Sequence, residues 1–220
     1  MNNKFYLEDV RTIKLDQDVA LYISHPPYLG EDTNRYGDKE GQQINYDQDI
    51  FLYVDALVDS TINISRNLKY GGSIFMIIPI VRYPELPFRY MSSMMVNSTL
   101  RINNTIIWDW DDGKILTPGT KYCMIMHFSK GEPYIRRVDD FKSIISIPWV
   151  DQFSDELPID LAKELILLYS REGDTVGDLF GGTGTVQLAA LQTNRDFVYN
   201  DISRDQLEIA RKRLSKWVTE

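Results

Sequence analysis

The stretch DTVGDLFGGTGTVQLAALQTNRDFVYND, residues 174–201, decides the fold class of this 220-residue chain. It opens with a short apolar segment at 174–180 and passes through a glycine-rich turn at 181–185. Residues with helical spacing follow, and a second apolar segment at 196–201 closes the stretch. A strand, a tight turn, a helix and a second strand in this order predict the βαβ half of a nucleotide-type site.

The rest of the chain alternates strand and helix patterns in the same way. Short apolar segments bounded by turn residues predict further strands, and apolar residues at helical spacing predict helices. The predicted strands span 18–23, 73–79, 105–110 and 121–129, and the predicted helices run from Ile50 to Leu68, from Pro158 to Leu168 and from Ser203 to Trp217. This alternation predicts an α/β fold with a single, mostly parallel sheet and helices on both faces.

The composition excludes several classes of protein. Hydrophobic residues make up 43% and charged residues 25% of the chain, which is ordinary for a globular domain. No apolar run is long enough to cross a membrane, and the start MNNKFYLEDV does not resemble a secretory signal. One cysteine and two histidines cannot build a structural zinc site, so we expect no metal. A single cysteine cannot form an internal disulfide, which fits a reducing, cytoplasmic location. The net charge of −8 argues against a protein that coats nucleic acid by bulk electrostatics.

The glycine-rich turn has the composition of a ligand-binding loop. Glycines at a strand end let the backbone approach a ligand, and the start of the following helix offers free N–H groups. Asp201 stands about 20 residues further on, at the end of the next predicted strand, where a carboxylate can accept both hydroxyls of a ribose. No lysine follows the last glycine, which excludes a P-loop. A purely structural turn is the alternative, but the position of Asp201 favours an adenosine-bearing ligand.

A second motif, Ser24-His25-Pro26-Pro27-Tyr28, ends a predicted strand. Two successive prolines fix an extended backbone and remove two N–H donors. The backbone carbonyls remain as hydrogen-bond acceptors, and the aromatic ring of Tyr28 follows them. This arrangement suits an amino group that donates hydrogen bonds while the ring stacks on the base that carries the amino group. A strand end broken by proline, with Tyr28 as a packing residue, is the alternative interpretation.

With both motifs in one chain, the sequence resembles the permuted (β-class) amino-methyltransferases. These enzymes use S-adenosylmethionine to methylate the exocyclic amino group of adenine or cytosine in DNA. Their [DNS]PPY motif comes first and their FxGxG motif last, and here HPPY (25–28) stands well before DLFGGTGT (178–185). The resemblance covers nearly the whole chain. It implies a Rossmann-like methyltransferase fold with a sheet of about seven strands, S-adenosylmethionine as the cofactor, DNA as the partner and a role in restriction–modification.

The resemblance also implies roles for individual residues. The catalytic motif that would hold the flipped base consists of His25, Pro26, Pro27 and Tyr28. Asp178 would lie near the methionyl group, Asp201 would hold the ribose, and Asp9 within FYLEDVRTIKL would reach the adenine side of the cofactor. The cofactor would also be lined by Phe180, Gly181, Gly182, Gly184 and Thr185. The segment ELPIDLAKELILLYSREGDTV (156–176) looks like the part of the family that packs over the methionine end of the cofactor.

The motif departs from the family at its first residue, which is Asp, Asn or Ser there and His25 here. A neutral imidazole can accept a hydrogen bond from the target amine, whereas a protonated imidazole cannot. We therefore expect activity to fall as the pH drops through about 6.5, the ordinary histidine value. The alternative is that His25 marks a degenerate site in a non-catalytic subunit. The histidine also leaves the choice between adenine and cytosine open.

The sequence shows no separate target-recognition domain, and residues 1–220 predict a single catalytic domain. Only 29–49 and 130–157 are spare, and we expect them to be candidate substrate loops. The basic side chains of the second loop that could contact DNA include Lys130, Arg136 and Lys142. Arg213 most simply complements the negative end of the last helix. With the net charge of −8, either short or weak recognition of DNA, or a helper subunit or a homodimer, follows as a hypothesis. RNA is a less favoured partner because RNA-base amino-methyltransferases usually carry the unpermuted order.

Overall fold

The computed structural model describes residues 2–29, 49–80, 83–110, 122–136, 142–148 and 156–217. Within these ranges the chain forms nine strands and five helices. In chain order they are β1 (Lys4–Tyr6), β2 (Val19–Ser24), α1 (Ile50–Ser65), β3 (Leu68–Pro79), α2 (Leu86–Asn97), β4 (Arg101–Ile102), β5 (Ile106–Asp109), β6 (Tyr122–Ser129), β7 (Ile144–Ser146), α3 (Ile159–Tyr169), β8 (Thr175–Asp178), α4 (Thr185–Gln192), β9 (Asp196–Asn200) and α5 (Arg204–Leu214). None of the helices described is both long enough and apolar enough to cross a membrane.

All the described strands lie in one sheet with the order β1-β9-β8-β2-β3-β6-β5-β7, and β4 pairs with β6 beside β5. In the sheet, the adjacent strands β1, β9, β8, β2 and β3 are all parallel, whereas β6 is antiparallel to β3, β4 and β5. The predicted α/β fold with a single, mostly parallel sheet is confirmed. The strands β1, β4 and β7 were not predicted, because two or three residues are too few to show an apolar period. The helix α2 was not predicted either.

Several boundaries differ from the prediction: α5 ends at Leu214 rather than at Trp217, and the largest change is at the junction of α1 and β3. The helix α1 ends at Ser65 rather than at Leu68, and β3 runs through Gly71-Gly72. At Gly72 a Cβ atom would lie 2.8 Å from the carbonyl oxygen of Ala20, the second residue of the neighbouring strand β2. The glycine therefore lets two strands approach closely.

Helices cover both faces of the sheet, as predicted. One apolar core joins α3, α4 and α5 to side chains that include Ile23 and Phe75. The other joins α1 and α2 to side chains that include Tyr22 and Ile74 on the opposite face. Neighbouring residues of β2 and β3 enter opposite cores because successive side chains of a strand point to opposite faces.

The strands β2 and β8 are adjacent and parallel, with Tyr22 opposite Gly177. From β2 the chain continues through α1 to β3 on one side, whereas from β8 it continues through α4 to β9 on the other. Their carboxyl ends therefore border the crevice at which open α/β sheets bind ligands. Both sequence motifs begin here, since Ser24 ends β2 and Asp178 ends β8.

Candidate functional site

Asp178 lies in the crevice as a buried carboxyl group. Its Oδ1 accepts a hydrogen bond from the backbone N–H of Phe180 at 3.0 Å, and the buried Ser24 hydroxyl at the end of β2 lies nearby. Burial raises the pKa of Asp178 to about 7, and the nearby Asp201 carboxylate adds to the rise while the Phe180 N–H and the Ser24 hydroxyl oppose it. Within the described ranges, no basic side chain forms an ion pair with Asp178. A buried carboxyl group of this kind favours a ligand that brings a positive charge.

The glycine-rich turn after β8 has left-handed backbone at Gly182 (φ 48°) and Gly184 (φ 83°), a conformation that favours glycine. At Gly181 a Cβ atom would clash with the Tyr199 ring, and the Tyr199 hydroxyl donates to the Gly182 carbonyl at 2.9 Å. At Gly182, in contrast, a Cβ atom would meet nothing nearer than 4.0 Å, so its Cα faces open space. The missing side chain of Gly181 therefore lets Tyr199 pack against the turn, and that of Gly182 leaves room for a ligand.

Asp201 is joined to this turn across the carboxyl ends of β8 and β9. One carboxylate oxygen accepts from the backbone N–H of Gly182 at 2.8 Å, and the other accepts from that of Ser203 at 2.8 Å. Burial raises the pKa of Asp201, although the backbone N–H groups of Ser203 and Gly182 oppose the rise. The structure thus brings Asp201 to the glycine turn, and its contact with a ribose stays a prediction.

Asp9 lies at the same edge, just after β1, which pairs in parallel with β9. The Asn200 side chain holds this segment through hydrogen bonds to the backbone N–H and carbonyl of Glu8 at 3.0 and 2.9 Å. The Asp9 carboxylate itself binds Arg11, with 2.5 Å between Oδ2 and Nη2. Burial raises the pKa of Asp9, but the hydrogen bonds from Arg11 outweigh burial and leave the pKa lowered. Its contact with an adenine stays a prediction.

The HPPY motif forms a turn that is held from within and from α1. The Nε2 atom of His25 and the hydroxyl of Tyr28 lie 3.1 Å apart in hydrogen-bond contact, and the two rings meet edge-on with 5.2 Å between their centroids. The Tyr53 hydroxyl of α1 donates to the Pro27 carbonyl at 2.7 Å. The turn follows β2 directly, so it lies beside Asp178 at the end of β8.

His25 is uncharged at neutral pH. Burial lowers the pKa of His25 to about 4, because a charged imidazole would lose its hydration here. The lowered pKa argues against His25 as the group whose titration lowers activity near pH 6.5, since the ordinary value of about 6.5 applies to an imidazole in water. The pH dependence of activity stays a prediction. A neutral imidazole keeps one nitrogen that donates and one that accepts.

A polar cluster that sequence reasoning missed lies against the start of α4. It consists of Glu156, Thr183, Thr185 and Arg213. The Oε1 atom of Glu156 accepts from the hydroxyl of Thr183, from that of Thr185 at 2.7 Å and from the Arg213 guanidinium. The guanidinium also donates to the hydroxyls of Thr183 and Thr185 at 3.0 and 3.2 Å.

This cluster gives Arg213 a larger role than complementing the end of α5, because it joins α5, the glycine turn and the segment before α3. Burial raises the pKa of Glu156, but the hydrogen bonds from Thr183, Thr185 and Arg213 outweigh burial and leave the pKa lowered. The available signal in the sequence was the segment 156–176, whose resemblance to a cofactor-packing segment begins at Glu156.

Two described basic side chains of 130–157, those of Lys130 and Lys142, lie away from the crevice. Because β6 is antiparallel to β3, its last residue, Ser129, pairs with Ser73 in the first half of β3. Lys130 follows at the amino end of the parallel strands, where its Nζ donates to the carbonyl of Leu68 at 3.0 Å. Lys142, just before β7, pairs with Glu164 of α3 at 2.9 Å. These groups therefore do not border the crevice.

The two candidate substrate loops are described only in part. Of 29–49, Leu29 is buried behind the HPPY turn, and Asp49 caps α1 by accepting from the Phe51 N–H at 2.7 Å. Residues 30–48 lie outside the described residues, as do 137–141 and 149–155. In the second loop, Glu156 reaches the site.

A family model described as DNA methylase matches residues 19–212. This match contains the HPPY turn, the glycine turn and every described strand except β1. This chain belongs to the DNA methylase family. The resemblance to DNA amino-methyltransferases that the two motifs predicted is thereby confirmed.

Curated relatives of this DNA methylase match it over part of their length. The type II methyltransferase M2.LlaDCHI of Lactococcus lactis subsp. cremoris is 27% identical over 136 residues, which are 62% of this chain and 48% of that protein. The orphan methyltransferase M.BamHII of Bacillus amyloliquefaciens is 39% identical over 61 residues, 28% of this chain and 23% of that protein. The chain thus spans less than half the length of these relatives.

Two solved structures resemble the DNA methylase over nearly its full length. TTHA0409 from Thermus thermophilus, solved in complex with S-adenosyl-L-methionine, has a TM-score of 0.72 at 21% identity and covers 98% of this chain and 96% of its own. The PvuII DNA methyltransferase, which is cytosine-N4-specific, has a TM-score of 0.75 at 16% identity, over 97% of this chain and 86% of its own. These matches confirm the Rossmann-like methyltransferase fold.

Proposed function

We propose that this DNA methylase transfers a methyl group from S-adenosylmethionine to the exocyclic amino group of adenine or cytosine in DNA. One observation carries the proposal: the HPPY turn and the glycine turn follow adjacent parallel strands, β2 and β8, at the crevice of the sheet. A base held by the first turn and a cofactor held by the second then meet at one place. Holding two reactants in line contributes a large part of the acceleration in a direct transfer.

The residues around the glycine turn fit S-adenosylmethionine. We assign the buried carboxyl group of Asp178 to the positively charged methionyl part and Asp201 to the ribose hydroxyls. The open space at Gly182 lets the cofactor lie against the backbone. The other residues that we assign to the cofactor are Asp9, Phe180, Gly181, Gly184 and Thr185. When bound, S-adenosylmethionine supplies a methyl group on a sulfonium sulfur, which is an activated donor for a nitrogen nucleophile.

The HPPY turn, His25 to Tyr28, supplies what an aromatic amine needs. Pro26 and Pro27 have no N–H groups, so the turn presents carbonyl acceptors without competing donors. The ring of Tyr28 offers a face on which a flipped base can stack. His25 is neutral at pH 7, so its side chain adds no positive charge beside an amine that becomes cationic as it gains the methyl group and then loses a proton.

We also propose that the protein works with a helper subunit or as a homodimer. Phe51 and Phe88, both 62% exposed, line a groove between α1 and α2. Met95 and Val96 on α2 are exposed as well. Large apolar side chains grouped on one surface are the kind that a protein partner covers.

A role in restriction–modification belongs to the same proposal, because the curated relative M2.LlaDCHI is a type II methyltransferase. The location that we propose is the cytoplasm. The buried free thiol of Cys123 suits a reducing compartment of this kind.

Nucleoside mass spectrometry tests the proposed reaction. The protein is incubated with labelled S-adenosylmethionine and either unmethylated DNA or RNA, and the digested nucleosides are analysed. We expect labelled methyladenine or methylcytosine from DNA and none from RNA. Label from RNA alone would overturn the DNA assignment. Product from the His25→Asp variant alone would identify the natural protein as a non-catalytic subunit.

A further inference from the structure

We propose that His25 is a positioning residue for Tyr28: its imidazole holds the phenol ring in the place where the ring stacks on the target base. This inference rests on the proposed methylation of a DNA base and says how the unusual first residue of the motif takes part. The target amine donates to backbone carbonyls of the turn, and the His25 side chain acts through Tyr28.

The first support is the contact between the two side chains. The Nε2 atom of His25 lies 3.1 Å from the Tyr28 hydroxyl, and the rings are inclined at 70°. The residues between them, Pro26 and Pro27, have fixed φ angles, so the two side chains meet across a stiff backbone. Asp, Asn and Ser have shorter side chains than His. At position 25 none of them would extend as far towards the Tyr28 hydroxyl as Nε2 of His25 does.

The second support is that the backbone of the turn is already held on both sides of Tyr28. The buried Tyr53 hydroxyl donates to the Pro27 carbonyl at 2.7 Å, and the side chain of Leu29 is buried in the core under α1. With the backbone held, the orientation of the phenol ring depends on its own side-chain torsions. A hydrogen bond at the hydroxyl, the far end of the ring, restricts those torsions most effectively.

The protonation state of His25 agrees with this role. Burial lowers its pKa to about 4, so the imidazole is neutral through the pH range of an ordinary assay. In that state each ring nitrogen is committed as a donor or an acceptor, and a phenol can serve either one. The contact with Tyr28 therefore persists as the pH changes from about 6 to about 8.

A double-mutant cycle on methylation tests the inference. We expect His25→Ala and Tyr28→Phe each to lower kcat roughly three- to tenfold, the range for one neutral hydrogen bond, with the affinity for S-adenosylhomocysteine unchanged. The double variant should be no slower than the slower single variant, because both remove the same contact. His25→Gln, whose amide is longer than that of Asn, should restore part of the rate. A double variant whose loss equals the product of the two single losses would overturn the inference, since His25 would then act without Tyr28.

Nitrogen-15 NMR of the imidazoles gives a readout that needs no activity. The chain has two histidines, His25 and His127, and the His25→Gln spectrum assigns them. Tyr28→Phe should move the Nε2 resonance of His25 and leave that of His127 in place. The matched control is Ser73→Ala, which removes the 2.9 Å partner of His127 Nε2 and should move only that resonance.

The methylation assay and the histidine resonances together distinguish a failure of the positioning role from a failure of the proposed function. An unmoved His25 resonance in Tyr28→Phe would overturn the positioning role whatever the enzyme methylates. A moved resonance together with no methylation of DNA by the natural protein would instead overturn the proposed function.

Discussion

The backbone N–H of Gly182 donates to the Asp201 carboxylate at 2.8 Å, so the turn after β8 and the acid after β9 form one unit. The second oxygen of the same carboxylate holds the N–H of Ser203 at the start of α5. A ligand that binds Asp201 therefore contacts a group that also shapes the glycine turn. Loss of this carboxylate affects both the ligand contact and the loop that receives the ligand.

Asp201→Ala should weaken binding of S-adenosylhomocysteine by about tenfold or more, because hydrogen bonds to a charged group contribute about 1.5–3 kcal/mol each. Isothermal titration calorimetry measures the change directly. The control is Asp205→Ala, an exposed acid in the first turn of α5, which should leave the affinity unchanged. Equal affinities of the natural protein and Asp201→Ala would show that the ribose binds elsewhere.

Cofactor affinity should fall as the pH drops through about 7, the pKa of the buried Asp178 carboxyl group. The ionised form suits a cationic ligand, so each pH unit below that value should cost up to about tenfold in affinity. Calorimetry between about pH 5.5 and 8.5 tests this. Asp178→Asn should bind weakly at every pH, and a pH slope that survives in this variant would assign the titration to another group.

Asp178 should also destabilise the ligand-free fold at alkaline pH. Its folded pKa of about 7 lies above the ordinary value of 3.8, so the folded state holds the proton more tightly than the unfolded state. The free energy of unfolding therefore declines as the pH rises from about 4 to about 7, and the penalty is complete above that range. Asp178→Asn should raise the free energy of unfolding at pH 8 by up to about 4 kcal/mol. Urea titrations at about pH 8 and about pH 4 measure it, and an equal gain at both pH values would contradict the assignment.

Arg213→Met should loosen the polar cluster at the start of α4. The change leaves Glu156 without its cation, and both side chains are partly exposed, so we expect a loss of about 1 to 2 kcal/mol in stability. We also expect weaker cofactor binding, because Thr183 and Thr185 share the same contacts. Thermal unfolding and calorimetry provide the two measurements. Lys212→Met, an exposed neighbour on α5, is the control and should change neither.

Phe88→Glu should dissociate any assembly that uses the groove between α1 and α2, because a charge replaces an exposed apolar contact. Light scattering after size-exclusion chromatography reports the mass of the natural protein and the variant. Ile209→Glu places the same charge on α5, where Ile209 is also exposed, and should leave the mass unchanged. A natural protein that is dimeric and stays dimeric as Phe88→Glu would place the interface elsewhere.

Patterns within a few residues were sufficient to predict the elements around the glycine turn. The βαβ unit at 174–201 was predicted because strand and helix periods and turn glycines are local properties. The pair Ser203 and Gln206 is typical of a capping box, and half of it forms: the Ser203 hydroxyl accepts from the Gln206 N–H at 3.4 Å, whereas the Ser203 N–H donates to the Asp201 carboxylate. The lengths of these elements also set where Asp201 falls, so its place at the end of a strand followed from the sequence alone.

Contacts between distant segments decided the remainder. The parallel pairing of β2 with β8 brings the turn at His25 beside Asp178, and the antiparallel direction of β6 carries Lys130 to the opposite edge. The link between Glu156 and Arg213 joins segments that no local pattern relates. Burial sets the charge of His25 and Asp178, and burial is a property of everything that packs around a group. Strand order, strand direction and desolvation all arise from long-range packing, so only the tertiary structure decided what each motif faces and which of its groups are charged.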